Sequence, residues 1–193
     1  MGRKKTFERE AVLDKAMNLF WKKGYHATSM QELVDALGIN RASLYETFES
    51  KQNLFDLAIE RYSLINNQKI ADFLYYQTTV RQGFLQLFEL LIDAAIQDKD
   101  SKGCFVVNTT TELANNDLGV NKKMQDQKAA VEQLYFNYLQ YGVNQGQISP
   151  YKNIQTIASY IYSLQTGIYV ISKIHSNREE LLKIVSTGLA VLD

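Results

Sequence analysis

The feature that most constrains the fold is the stretch from Thr28 to Lys51, which reads TSMQELVDALGINRASLYETFESK. Ser29 lies three residues before Glu32, the spacing of a capping box, in which each side chain bonds the other residue's backbone N–H at a helix start. Apolar residues then recur at helical spacing, and Gly38 follows where a helix exit needs a positive φ. The pattern predicts a short amphipathic helix that ends in a glycine turn.

A second short helix follows this turn. Asn40 is a favourable N-cap, and Leu44 and Phe48 lie four residues apart on one side of a helix predicted over residues 41–48. Two short helices joined by a three-residue turn that contains glycine form a helix-turn-helix unit. Since the second helix of such a unit can enter the major groove of DNA, the stretch predicts a nucleic-acid-binding surface.

The sequence around this unit resembles the DNA-binding domain of TetR/AcrR-type transcriptional regulators. The strings that carry the resemblance are FWKKGYHATSM, LVDALGIN and RASLYETFESK, within about residues 7–60. The resemblance implies an all-α homodimer of about nine helices per chain, with a three-helix DNA-binding domain over residues 1–50 and a helical ligand-binding and dimerisation domain over residues 51–193. It also implies a repressor that a small molecule releases from a palindromic operator.

The predicted DNA contacts combine the resemblance with helix geometry. Arg41 and Ala42, at the start of the second helix, are expected to face base edges, where arginine commonly binds guanine. Helix N-termini and nearby polar side chains are expected to bind phosphates. The remaining predicted contact residues are Thr28, Ser29, Asn40, Ser43, Tyr45 and Lys51, together with Lys4 and Lys5 on a mobile basic arm over residues 1–6. A solvated tail is the alternative for that arm.

The last two predicted helices carry more apolar surface than packing on one face of each helix would bury. An uncharged helix from about residue 154 has isoleucine and leucine at alternating steps of three and four, and a capping box of Ser176 and Glu179 begins the next helix. This surplus predicts a four-helix bundle with a second copy, although both faces could also pack within one chain. The predicted interface residues are Ile157, Ile161, Leu164, Ile168, Leu181, Val185 and Leu189.

The resemblance further implies a small-molecule pocket between about residues 80 and 175. The chain has 12 tyrosines, which suit a pocket with apolar walls and hydroxyl groups, although aromatic residues at helical spacing are also typical of plain core. The candidate lining residues are Phe84, Phe88, Phe105, Asn108, Thr109, Glu112, Tyr135, Tyr138, Tyr162 and Tyr169. Control by a protein partner instead of a small molecule is a second possibility.

Cys104 supports two interpretations. It lies after Lys102 at a predicted helix start, where a helix dipole and a cation favour the thiolate, and KGCFVVNTTTEL resembles a segment of regulators that sense electrophiles. The alternative is a small buried apolar residue. Because the chain has one cysteine, it cannot form an internal disulfide, which fits the reducing cytoplasm.

The sequence points away from an enzyme. The two histidines lie far apart, and no phosphate loop, nucleophile elbow or metal-ligand spacing is present, so neither cofactor nor metal is predicted. The 21 basic and 21 acidic residues balance, so overall charge does not indicate nucleic acid. Residues 153–172 carry no charge, but polar residues dilute them, and no membrane span or secretion signal is expected.

Overall fold

The computed structural model describes the backbone of residues 2–193 and the side chains of residues 9–193. The side chains of Lys4 and Lys5 lie outside the described residues, so their DNA contacts stay predictions. The described chain is all-α, as predicted, and contains no strand. Its helices are α1 Gly2–Lys23, α2 Met30–Leu37, α3 Arg41–Phe48, α4 Lys51–Tyr75, α5 Val80–Gln97, α6 Phe105–Leu113, α7 Leu118–Asn144, α8 Ile154–Ile171 and α9 Arg178–Leu189, followed by a 3-10 turn, Ala190–Leu192.

The first helix is longer than predicted. α1 begins at Gly2, so the prediction of a mobile arm over residues 1–6 is wrong for the backbone from Gly2 onward. Arginine and lysine at positions 3–5 are good helix formers, and no proline interrupts them. At the other end Gly24, with φ 85°, donates its N–H to the Phe20 carbonyl at 2.7 Å and turns the chain towards α2.

The helix-turn-helix unit has the predicted local structure. Ser29 Oγ accepts the Glu32 N–H at 3.2 Å, and Glu32 Oε2 accepts the Ser29 N–H at 2.9 Å, which completes the capping box of α2. Gly38 has φ 69° at the end of α2. Asn40 Oδ1 then accepts the Ser43 N–H at 2.8 Å and caps α3. The caps and the turn together fix where α3 starts and which of its sides faces the core.

A strained turn connects α3 to α4. Glu49 has φ 65° and ψ −48°, and the Ser50 N–H donates to the Phe48 carbonyl at 2.6 Å across it. These angles and this bond define a γ-turn of the rare kind with positive φ. Ser50 then caps α4 by accepting the Asn53 N–H at 3.0 Å. The helix-turn-helix unit of α2 and α3 is thus joined directly to the long helix α4, without a linker.

Two apolar cores share helix α4. Its first half packs with α1, α2 and α3, whereas Ile70 and Leu74 near its end pack with α5, α7, α8 and α9. Helix α6 and the start of α7 belong to the first core, through Cys104, Phe105 and other residues. The predicted boundary at residue 50 stays a prediction, but the packing of α6 joins part of the C-terminal half to the DNA-binding helices.

The apolar stripes of α8 and α9 face the interior of the chain. The six predicted interface residues other than Leu164 are at most 6 % exposed and lie in the second core, so their prediction as dimer contacts is wrong. α8 and α9 pack on α5 and α7, and this packing covers the most apolar side of each helix. Helix α9 is capped by Asn177, not by the predicted box of Ser176 and Glu179. Within residues 2–193 no helix combines the length and apolarity needed to cross a lipid bilayer.

Candidate nucleic-acid interface and cavity

Helix α3 presents one polar side to solvent. Leu44 and Phe48 are fully buried on its inner side, and Arg41, Ala42 and Tyr45 are exposed on its outer side. The Arg41 guanidinium lies 5.8 Å from the centroid of the Tyr45 ring, so the exposed aromatic ring supports the cation. Thr47 is also exposed on this helix and was absent from the sequence prediction, because helical spacing alone does not separate it from its neighbours. The outer side of α3 can therefore meet a DNA groove.

Polar groups surround this helix at the ends of its neighbours. Ser29 and Asn40 are exposed N-caps of α2 and α3, and Ser43 is partly exposed. The Lys51 ammonium lies 4.3 Å from the centroid of the Tyr25 ring at the start of α4. Partial burial lowers the pKa of Lys51. These residues lie around α3, and their contacts with phosphates stay predictions.

One acidic group beside the interface is neutralised locally. A hydrogen bond from Lys23, with further bonds from Ser29, lowers the pKa of Glu32 to about 2. The Lys23 ammonium contacts the Glu32 carboxylate directly. Because Glu32 stays ionised and paired, it keeps the α2 cap intact without adding an uncompensated negative charge near the N-terminus of α2.

Thr28 is not part of the exposed surface. Its side chain is fully buried, and its hydroxyl donates to the Gly24 carbonyl at 2.6 Å. The prediction of Thr28 as a DNA contact is therefore wrong. Its position next to the capping residue suggested exposure, but the turn after α1 leaves a carbonyl that needs a donor, and Thr28 supplies it.

A partly open cavity of about 300 Å³ lies between α6, α7 and α8. Its α6 wall has two threonines, its α7 wall has amides and one ammonium group, and its α8 wall is mostly apolar. A smaller space of about 20 Å³ adjoins it and shares Val107, Tyr162 and Thr166. The larger cavity is lined by Val107, Thr110, Thr111, Ala114, Asn121, Met124, Gln125, Lys128, Tyr162, Thr166 and Val170.

The predicted pocket residues are dispersed. Tyr162 lines both spaces and Tyr169 lines the smaller one, whereas Tyr138 lines a separate open groove between α4 and α7. The other seven line none of these three spaces, and their role as pocket walls stays a prediction. Phe84, Phe88, Phe105 and Tyr135 are at most 1 % exposed in the two cores, Thr109 is buried, Asn108 bonds Lys102 and Lys173, and Glu112 faces the turn after α1.

Cys104 is a buried thiol. It is 6 % exposed at the N-cap of α6, and the Tyr62 hydroxyl donates to its sulfur at 3.8 Å. Burial raises the pKa of the thiol, although backbone N–H groups of α6 and the Tyr62 hydroxyl act in the opposite direction. Desolvation thus opposes the helix dipole and favours the interpretation of Cys104 as a small buried residue over the thiolate. Cys104 does line the smaller space, close to Tyr169 and Gln165.

An apolar surface remains on the outer side of α8 and α9. Tyr160 and Ile184 are each 42 % exposed. A Cβ atom added at Gly188 would lie 2.7 Å from Leu164 Cδ2, so α8 and α9 cross closely there. At Gly167 an added Cβ would meet nothing within 4 Å. This outer face lies beside the inward-facing apolar stripe and carries part of the surplus apolar surface that the sequence predicted.

The fold and the surfaces define a class of protein: an all-α, helix-turn-helix DNA-binding protein with a second helical domain that holds a cavity. Residues 12–58 match the family profile described as bacterial regulatory proteins, tetR family. Residues 84–187 match the profile described as the tetracyclin repressor-like C-terminal domain. The chain belongs to the TetR family, and it is a DNA-binding transcriptional regulator, as predicted.

Two relatives cover nearly the whole chain. The HTH-type transcriptional repressor ComR of Escherichia coli (strain K12) is 28 % identical over 97 % of this chain and 90 % of its own. The HTH-type transcriptional regulator YezE of Bacillus subtilis (strain 168) is 28 % identical over 100 % of both chains.

Solved structures share the fold. The regulator CifR, as a cysteine mutant complexed with 26-bp double-strand operator DNA, has a TM-score of 0.85 and 25 % identity over 94 % of this chain and 95 % of its own. The reduced form of NemR from E. coli has a TM-score of 0.82 and 19 % identity over 96 % of this chain and 95 % of its own, and this likeness concerns the fold alone.

Proposed function

We propose that this protein is a cytoplasmic, homodimeric repressor. Each copy inserts α3 into one half-site of a palindromic operator, and the half-sites lie on successive turns of the major groove. A small organic molecule that enters the cavity between α6, α7 and α8 changes the separation of the two reading helices and releases the DNA.

The observation that carries the proposal is the exposed side of α3. Arg41 and Ala42 stand at its N-terminal end, where the side chains of a reading helix reach base edges. The buried Leu44 and Phe48 and the cap at Asn40 hold the helix in place, so these side chains are presented on a rigid support. ComR is named a repressor, and CifR was crystallised with operator DNA, which supports the same role here.

The outer face of α8 and α9 supports the homodimer. Tyr160, Leu164 and Gly167 of α8 lie on the same side as Ile184 and Val191 at the end of the chain, and this face is only partly covered within one copy. A second copy could place its own α8 and α9 against it as a four-helix bundle. Gly167, with open space around it, would allow close approach of the two copies.

The cavity supports a small-molecule effector. Its volume of about 300 Å³ lies at the lower end of the range for ligand sites. Polar side chains from different helices converge on it, among them Thr110, Asn121 and Gln125, which favours a ligand over a protein partner. The raised pKa of Cys104 makes an electrophile-sensing thiolate the weaker alternative.

A dimerisation variant tests the proposal directly. In Gly167→Glu the new side chain enters open space in one copy, so the fold is expected to persist while the charge blocks the interface. The wild-type protein should sediment as a dimer and select a palindrome from a random DNA library. Gly167→Glu should sediment as a monomer and bind that palindrome more weakly by about two orders of magnitude, because the linked second half-site is lost.

The control is Leu118→Glu, which places the same charge at a 90 % exposed leucine at the start of α7. It should leave sedimentation and DNA binding unchanged. A monomeric wild-type protein, or a wild-type protein that enriches no sequence from the library, would refute the proposal. Retained dimerisation in Gly167→Glu would reject this face as the interface.

A further inference from the structure

Helix α6 has two functional sides. Val107, Thr110, Thr111 and Ala114 recur at helical spacing and form one wall of the cavity. Phe105 and Glu112 lie on the opposite side, towards the DNA-binding helices. The Phe105 ring contacts Phe55 and Tyr62 of α4 edge-on, at centroid distances of 5.6 and 5.7 Å. Helix α6, nine residues long, thus contacts both the cavity and this part of the first core.

Glu112 reaches from this helix to the backbone of the DNA-binding unit. Its Oε1 accepts the His26 N–H at 2.8 Å, and its Oε2 accepts the Tyr25 N–H at 3.1 Å. Both N–H groups belong to the turn between α1 and α2, immediately before the capping box. Charge-assisted bonds to backbone N–H groups are about twice as strong as neutral ones, so this carboxylate is a firm anchor for the turn.

Gly24 provides the space that this contact needs. A Cβ atom added there would lie 2.7 Å from Glu112 Oε2, and the residue has φ 85°. The glycine therefore serves both the backbone turn and the close approach of the carboxylate. The other end of α6 is tied to α1 as well, because Trp21 Nε1 donates to the Gly103 carbonyl at 2.9 Å.

The anchored turn carries a residue that supports a predicted DNA contact. The Tyr25 ring lies beneath the Lys51 ammonium at 4.3 Å and meets Phe55 edge-on at 5.0 Å. The negative charge of Glu112 also acts on Lys51 and favours its protonated form. A displacement of Glu112 would therefore reach the start of α2 through the backbone and the start of α4 through Tyr25.

We infer that Glu112 is a positioning residue for DNA reading, which sets the orientation of the helix-turn-helix unit against the C-terminal domain. It does not touch DNA itself. Because the cavity and Glu112 lie on opposite sides of α6, a molecule that displaces this helix breaks the contact and misaligns the two reading helices of the dimer. The inference rests on the proposed function.

The test compares operator and random DNA with the full-length dimer and no added ligand. Glu112→Ala should lower affinity for the operator selected by the wild-type protein by about tenfold, within the usual range for coupling between sites. Affinity for random DNA should not change, since it depends on phosphate charge more than on the alignment of two heads. Amide exchange at Tyr25 and His26 should become faster, whereas amide exchange in the second core should stay at the wild-type rate.

Two further variants sharpen the result. Glu112→Gln keeps one acceptor oxygen, and its ratio of operator to random affinity should fall between wild type and Glu112→Ala. Asp100→Ala removes an exposed contact between the same parts of the chain, the 2.7 Å pair with Lys22, and should have no effect, because exposed ion pairs contribute little.

The outcomes separate this inference from the proposed function. A wild-type protein that selects no operator contradicts the proposed function. If the wild-type protein selects an operator, and Glu112→Ala and Glu112→Gln both keep the wild-type ratio of operator to random affinity, the role of Glu112 alone is overturned. If Glu112→Ala does not fold, Glu112→Gln decides: a reduced ratio supports the role and an unchanged ratio refutes it.

Discussion

Glu49 is expected to destabilise the turn that joins α3 to α4, and replacing it with glycine should stabilise the protein. Its φ of 65° and ψ of −48° belong to a strained γ-turn, and the exposed side chain gains no burial in return. Positive φ costs a residue with a Cβ atom about 1–2 kcal/mol. Glycine avoids this cost but loses about 0.5–1 kcal/mol through the greater freedom of the unfolded chain.

The difference predicts that Glu49→Gly raises the free energy of unfolding by about 0.5–1 kcal/mol per chain. For a chain of this size the thermal midpoint should rise by about 1–4 °C. Urea denaturation followed by far-UV circular dichroism measures the change, at one fixed protein concentration because dimerisation adds to apparent stability. The matched control is Glu49→Ala, which removes the same charge but keeps the Cβ atom that is strained at this φ.

The comparison of the two variants decides the cause. Glu49→Ala should stay within about 0.5 kcal/mol of wild type, as expected for an exposed substitution. If alanine stabilises the protein as much as glycine does, removal of the charge explains the gain and the argument from backbone strain fails. A loss of stability in Glu49→Gly would show that the backbone strain at Glu49 is smaller than the cost of the extra freedom that glycine gives the unfolded chain.

Three other predictions concern DNA, the cavity and the thiol. Arg41→Ala should cost about 1–3 kcal/mol of binding free energy on the selected operator and relax the preference at one base position. Lys51→Ala should weaken binding to all sequences alike and reduce the slope of log affinity against log salt by about one unit. Equal losses of affinity on operator and random DNA for both variants would contradict these roles. Thr110→Phe should fill the cavity and abolish the thermal shift given by any compound that stabilises the wild-type protein, while an unchanged shift would place the effector elsewhere. Because burial raises the pKa of Cys104 above its usual 9.0, iodoacetamide should alkylate the native protein near neutral pH more slowly than the urea-unfolded protein, and faster native alkylation would restore the thiol-sensor interpretation.

The sequence predicted those parts of the fold that depend on contacts within four residues. The capping box of Ser29, the turn at Gly38 and the cap at Asn40 each involve a side chain and its own neighbouring backbone, so their spacing carries the information. The exposed side of α3 follows from the same rules. The local rules failed where two possible N-cap residues are neighbours: Asn177 caps α9, whereas Ser176 was predicted to do so.

Contacts between distant segments could not be predicted in this way. The heptad pattern of α8 identified an apolar stripe, but a stripe does not specify whether it meets α5 and α7 of its own chain or a second copy. Glu112 was predicted as a pocket residue. Its partners, the N–H groups of Tyr25 and His26, are 87 and 86 residues away and carry no side-chain signal.

The packing of α6 constrains the proposed control of DNA binding by a ligand. Phe105 and Glu112 tie this nine-residue helix to the first core, whereas Val107 and Thr110 face the cavity. Helices of this length are not stable alone and take their order from the surfaces around them. In the proposed mechanism, an effector that displaces α6 changes the contacts of this helix with the first core, and control of DNA binding requires no unfolding of the larger domain.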